Sequence, residues 1–118
     1  MYLHAIASPA PDLLQMRVDG DVSDPSLTMG ESQPMLRILG HDCFARGVLV
    51  DMSFATAIDT GGVAWLVGCH KEFERGGGRM VIHSVPLPIM QGFDLLKLGT
   101  LLYFAPTEAD AVFRLHHG

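Results

Sequence analysis

The stretch "GVLVDMSFATAIDTGGVAWLVGCHKEFERGGGRMVIHSV", Gly47 to Val85, constrains the fold more than any other part of the sequence. Gly47 to Ser53 and Arg79 to Val85 are apolar, β-branched runs with little alternation, the pattern of strands covered on both faces. Between them, Gly62, Leu66, Cys69 and Phe73 recur along one helical face while Lys71, Glu74 and Arg75 fall on another. Two buried strands joined through a helix lie parallel, because a hairpin turn cannot connect them. Gly76-Gly77-Gly78 supplies the left-handed cap that ends the helix. The unit is strand, helix, strand, and the fold class is α/β.

The flanks extend that unit. "LLQMRV", Leu13 to Val18, predicts a strand ending at an Asp19-Gly20 turn, with "DVSD" as a brief continuation. Asp24 to Pro34, rich in Pro, Ser and Gly, reads as a connection. Met35, Ile38, Leu39 and Asp42, with Leu36 and Cys43 alongside, fit a helix of a few turns with Pro34 in its first turn and Gly40 weakening it. "PLPIMQGFDLLKLG" sets Ile89, Phe93 and Leu96 at helical spacing with Gly99 as the stop, and "TLLYFA" reads as a strand. Thr107 with Asp110 resembles a capping box opening a last helix, whose Ala109, Val112 and Phe113 are expected to face inward. At 118 residues the chain fits one domain, residues 1–118.

Charge and motifs exclude several functions. A net charge of −5 with only eight Lys plus Arg gives no basic patch for a phosphate backbone, so nucleic acid is not an expected partner. No apolar run reaches the ~20 residues of a spanning helix, and "MYLHAIASPAPDLL" lacks the basic and apolar regions of a signal peptide. Two cysteines are too few for a disulfide framework, so reduced thiols in the cytoplasm are expected. The triple glycine runs from helix into strand, the reverse of a phosphate-binding loop, and no nucleotide fingerprint occurs, so no cofactor is expected. Cys69 and His70 point about 100° apart on a helix, and His116-His117 have no third ligand, so no metal is expected.

What stands out is Asp59-Thr60-Gly61-Gly62, at the head of the clearest helix. Asp and Thr are preferred N-caps, and glycines permit close backbone approach. The same position, at the carboxyl end of a central strand, is where α/β sheets receive ligands. Asp51 and Asp59 flank one expected loop, which keeps open an acid–base pair and with it a small-molecule enzyme or sensor.

These residues resemble the STAS domain, the module of bacterial anti-sigma-factor antagonists. The likeness rests on a strand ending in D-x-S at Asp51 and Ser53, an apolar loop, D-[ST]-[ST]-G, an amphipathic helix, glycines and a strand. "LLKLGTLLYFAPTEADAVFRL" and "QMRVDGDVSD" carry it over residues 13–115, most specifically over 47–84. The resemblance implies a mixed sheet of about four to six strands flanked by about four helices. It also implies a non-enzymatic signalling module, active in partner switching and transcription regulation. Such a module docks an anti-sigma factor or serine-kinase-like ATPase through the loop and helix start, here Asp59, Thr60, Gly61, Gly62 and Val63.

In the antagonists, that kinase phosphorylates the second hydroxyl residue of the motif. Here Asp59 matches the acid, Thr60 the first hydroxyl residue and Gly62 the glycine, while Gly61 stands where the phosphorylated serine belongs. The usual switch is therefore absent, with Thr60 an off-register substitute. The family's early acidic residue is displaced as well, Ser23 occupying its place and Asp24 following. D-T-G-G is also similar to the motif in the STAS subunit of the bacterial lipid-asymmetry ABC transporter. That likeness implies a transporter ATPase as partner.

Overall fold

In the computed structural model, which describes all 118 residues, the central strand is β3, Gly47–Ile58. It pairs in parallel with β2, Leu13–Val22, on one side and with β4, Arg79–His83, on the other. β5, Tyr103–Ala105, continues the sheet in parallel beyond β4, and β1, Tyr2–Ile6, closes the far edge antiparallel to β2. The five strands lie in sequence order across this mixed sheet.

Five helices accompany them: α1 (Pro25–Thr28), α2 (Met35–Leu39), α3 (Thr60–Gly76), α4 (Leu87–Leu95) and α5 (Glu108–His117). Because β2 to β5 advance in one direction and parallel crossovers are right-handed, the three crossovers fall on one face of the sheet. There Met16, Val18, Val48, Val50, Met80 and Ile82 pack with Trp65, Leu66, Cys69, Phe73 and Phe93 in the main core. Only α5, which follows the last strand, is left to cover the other face. It does so with a much smaller cluster of Leu13, Leu49, Val81, Ala105 and Ala111. No helix is long and apolar enough to cross a membrane.

Several sequence expectations need correction. Asp19-Gly20 is not a turn: β2 runs through it with shifts in register on either side of the pair, and Gly20 takes φ +82. A bulge keeps the strand going where a turn would end it. Phe54 to Ile58 is not a loop but the far end of β3, held by Gly20, Asp21 and Val22 of β2. The connection 24–34 contains α1, capped by Asp24. In α5 it is Ala111 that is buried, with Val112 half-buried, while Ala109 and Phe113 face outward. Phe113 instead lies against the His117 ring, 4.3 Å between centroids. Leu96 falls just past the end of α4 and is exposed. β1, which pairs with β2 from Tyr2 to Ile6, was not expected at all.

Candidate docking site at the head of helix α3

The carboxyl end of β3 delivers the chain to α3 through Asp59, which stays extended at φ −107. Its backbone N–H donates to the Val22 carbonyl at 3.1 Å, tying the turn to the end of β2. Its Oδ1 accepts from the Gly62 N–H at 2.8 Å, satisfying one of the free donors of the helix start. Gly62 is buried, and a Cβ there would overlap the Val22 carbonyl and crowd Ile58. Glycine is therefore required for α3 to start so close to β2. Thr60, the first helical residue, is exposed, and Val63, one turn on, is half-buried.

Gly61 faces a second helix start. A Cβ built on it would sit 3.2 Å from both the backbone N and the Cβ of Asp24, and 3.3 Å from Asp59 Oδ1. Asp24 is itself an N-cap, its Oδ1 accepting from the Ser26 N–H at 2.9 Å and the Ser26 hydroxyl at 2.7 Å. Ser23 is the half-buried link between β2 and that cap. The starts of α1 and α3 thus meet with two carboxylates beside Gly61 and nothing larger than hydrogen between them.

From this point a cleft of about 560 Å³ runs along α3. Gly61, Ala64, Gly68 and Glu72 form one side, and Asp24, Gln33, Leu36 and Phe44 line the other. Gln33, Leu36 and Phe44 were not expected at the site from the sequence, which placed Leu36 only in a helix. A signal existed in the small residues Gly61, Ala64 and Gly68, which repeat at helical spacing.

Asp51 and Ser53 do not join this site. Asp51 lies within β3 opposite Arg17 and His83, its Oδ1 accepting from the Ser53 N–H at 2.8 Å. At ~3.3 Å per residue, the strand between Asp51 and Asp59 separates them by roughly 25 Å. The acid–base pair has no geometric basis, because the loop expected to bring the two together is strand. Cys43 and Cys69 are free and buried. Burial pushes the Cys69 thiol up to about 12, which keeps it protonated and unreactive. His70 points to Glu74, 2.5 Å away on the next turn of α3, rather than toward Cys69. No three His, Cys, Asp or Glu side chains gather as metal ligands do.

The architecture is shared with known proteins. It is similar to the Thermotoga maritima protein TM1081, with a TM-score of 0.76 at 13% identity over 92% of this chain and 91% of that one. An anti-sigma factor antagonist from Mycobacterium paratuberculosis matches at a TM-score of 0.73 and 13% identity, over 98% of this chain and 95% of that one. The anti-sigma factor antagonist SpoIIAA, unphosphorylated, matches at 0.61 and 15% identity, over 99% and 100% of the two chains. At such identities the likeness is one of fold. The family model for the STAS domain matches residues 7–111, taking in every strand from β2 to β5 and the whole α3 turn. A mixed sheet with its crossovers on one face, a capped D-T-G-G turn at the end of its central strand and this match together place the chain in the STAS domain family.

Proposed function

We propose that this chain is a cytoplasmic adaptor of the anti-sigma-factor-antagonist type. It acts by protein–protein contact through Asp59, Thr60, Gly61, Gly62, Val63 and the α3 cleft, and its partner is a serine-kinase-like ATPase. The observation that carries this reading is the packing at Gly61. The turn is capped and exposed at Thr60, yet the position of the usual phosphoacceptor has no hydroxyl, and a Cβ there would lie 3.2 Å from Asp24. A docking surface is kept while its charge switch is gone, so binding is constitutive or regulated elsewhere. A negative charge added at Thr60 must give up its water in a docked face that already carries the Asp24 and Asp59 carboxylates, and that desolvation opposes docking.

The test is affinity purification from the native cell with the wild-type chain, followed by titration of the captured ATPase against wild type and Thr60→Glu. An acid in the first helical turn is favourable for the helix, so the variant keeps its fold. Its affinity falls about tenfold or more, about 1.4 kcal/mol on the binding scale. Equal affinities refute docking at this turn. Gly61 also favours a second reading, the STAS subunit of a lipid-transport ABC system. Capture of a transporter ATPase with its permease, and no kinase-like protein, decides for that reading.

A further inference from the structure

A second strand-to-helix turn carries chemistry that the docking reading does not use. β4 ends at His83 and α4 begins at Leu87, so Ser84, Val85 and Pro86 must reverse the chain within three residues. Ser84 is half-buried and takes φ +58, a left-handed conformation that strains any residue but glycine. A serine forced into that conformation between a parallel strand and a helix presents its hydroxyl at the top of the sheet, as nucleophilic serines do in α/β enzymes.

The neighbouring groups define what the hydroxyl meets. Ser84 Oγ lies 2.8 Å from His83 Nδ1, and His83 Nε2 lies 2.7 Å from Gln15 Oε1. The Gln15 amide donates at 2.9 Å to both the Ala7 carbonyl and the Glu108 carboxylate. Both of those groups only accept, so the amide nitrogen must face them and its oxygen must face the ring. The ring therefore carries its proton on Nε2 and turns the Nδ1 lone pair to Ser84. Gln15 and His83 are each 2% exposed, the only buried polar side chains in the protein. Burial also holds the His83 imidazole below its ordinary range, against the opposing pull of Asp51 and Glu108, so it is a neutral base at neutral pH. Next to the turn, Val85, Leu87, Met90, Phe104, Ala105 and Pro106 line an apolar pocket of about 350 Å³, within the range of small-ligand sites. The start of α4 has no side-chain cap, and because Pro86 and Pro88 carry no N–H, the backbone donors left there for negative charge are those of Leu87 and Ile89.

We propose that Ser84 is a covalent acyl-acceptor site, with His83 as its general base and the pocket beside it holding an apolar acyl chain delivered as a thioester or other activated ester. Ser84 Oγ attacks the acyl carbonyl carbon while its proton passes to His83 Nδ1. The carbon–sulfur bond breaks, and the leaving thiolate takes that proton from His83, giving O-acyl-Ser84 and a free thiol. Nothing is oxidised or reduced.

The test incubates the full chain with p-nitrophenyl butyrate and, separately, with an alkyl fluorophosphonate, then maps the adduct by peptide mass spectrometry. One adduct per chain is expected, on Ser84, with the other serines unlabelled. Ser84→Gly, which suits the positive φ, keeps the fold and loses the adduct. Glu108→Ala, at an exposed residue, frees the Gln15 amide to turn. His83→Gln removes the base and slows labelling about 100-fold, the usual scale of general-base assistance. Circular dichroism checks that each variant is folded. No adduct on Ser84, labelling no faster than at other serines, or equal rates in wild type, Glu108→Ala and a folded His83→Gln would each overturn the proposal.

Discussion

Two neighbouring strands enter their helices by opposite means. At the end of β3 the turn is relaxed: Asp59 is extended, caps Gly62, and glycine provides the close approach to Val22. At the end of β4 the turn is strained: Ser84 is held at φ +58, α4 lacks a side-chain cap, and a chain of hydrogen bonds from exposed Glu108 through buried Gln15 reaches His83 beneath it. The first turn spends its polar groups on its own backbone and leaves an exposed surface. The second directs its polar groups at one hydroxyl. A turn of the first kind suits docking, and one of the second kind suits chemistry on a single atom.

The sharpest way to break the comparison is at Gly62. A valine there must displace the Val22 carbonyl or Ile58, and overpacking of this kind costs about 3 kcal/mol. For a domain of this size, melting should fall by roughly 10 °C. Gly68→Ala is the control, because nothing lies within 4 Å of its Cβ position. It should stabilise the chain by about 0.5 kcal/mol through helix propensity alone. Should both variants melt together in calorimetry, the β3 turn is not built on close approach.

A smaller effect separates the turns by pH. The folded His83 titrates below its ordinary value of 6.5, so between those two points the unfolded chain binds a proton that the folded chain refuses. The stability due to His83 is complete above that ordinary value and is lost as pH falls below it toward the folded one. Asp51 and Glu108 are the carboxylates acting on the ring, and their pull opposes the effect of burial. Urea midpoints at about pH 7.5 and about pH 5.5 should therefore differ more for wild type than for His83→Gln. An identical loss in both would mean that the imidazole is not held neutral.

The two turns were unequally legible for a physical reason. Asp59, Thr60, Gly61 and Gly62 act locally: a cap bonds three residues along, and a glycine shows in the sequence where it is needed. The amphipathic face of α3 is likewise periodic, and Gly62, Leu66, Cys69 and Phe73 are all buried as their spacing predicts. Network members Gln15, His83 and Glu108 are scattered over 93 residues, and only the pairing of β2, β3 and β4, with α5 packed against the sheet, brings them together. No spacing rule reports that. Nor does anything local mark β1, whose partner alone makes it a strand, or the continuation of β3 through Phe54 to Ile58, which rests on the bulged end of β2.

The smallest expected change in stability, and the most informative for binding, is Gly61→Ser. Gly61 has no positive φ, so a side chain gains a few tenths of a kcal/mol of helix propensity. Against this stand the 3.2 Å approaches to Asp24, which a slight shift of α1 can relieve. Net stability should change by less than about 0.5 kcal/mol. Affinity for the kinase-like partner should stay within about twofold while no ATP is present, since a hydroxyl adds no charge. With ATP, the variant should acquire a phosphate and dissociate, while the wild type stays bound. Release of wild type by ATP would show that Thr60 or another residue already carries the switch. Retention of a variant shown by mass spectrometry to be phosphorylated would show that this turn is not where the partner docks.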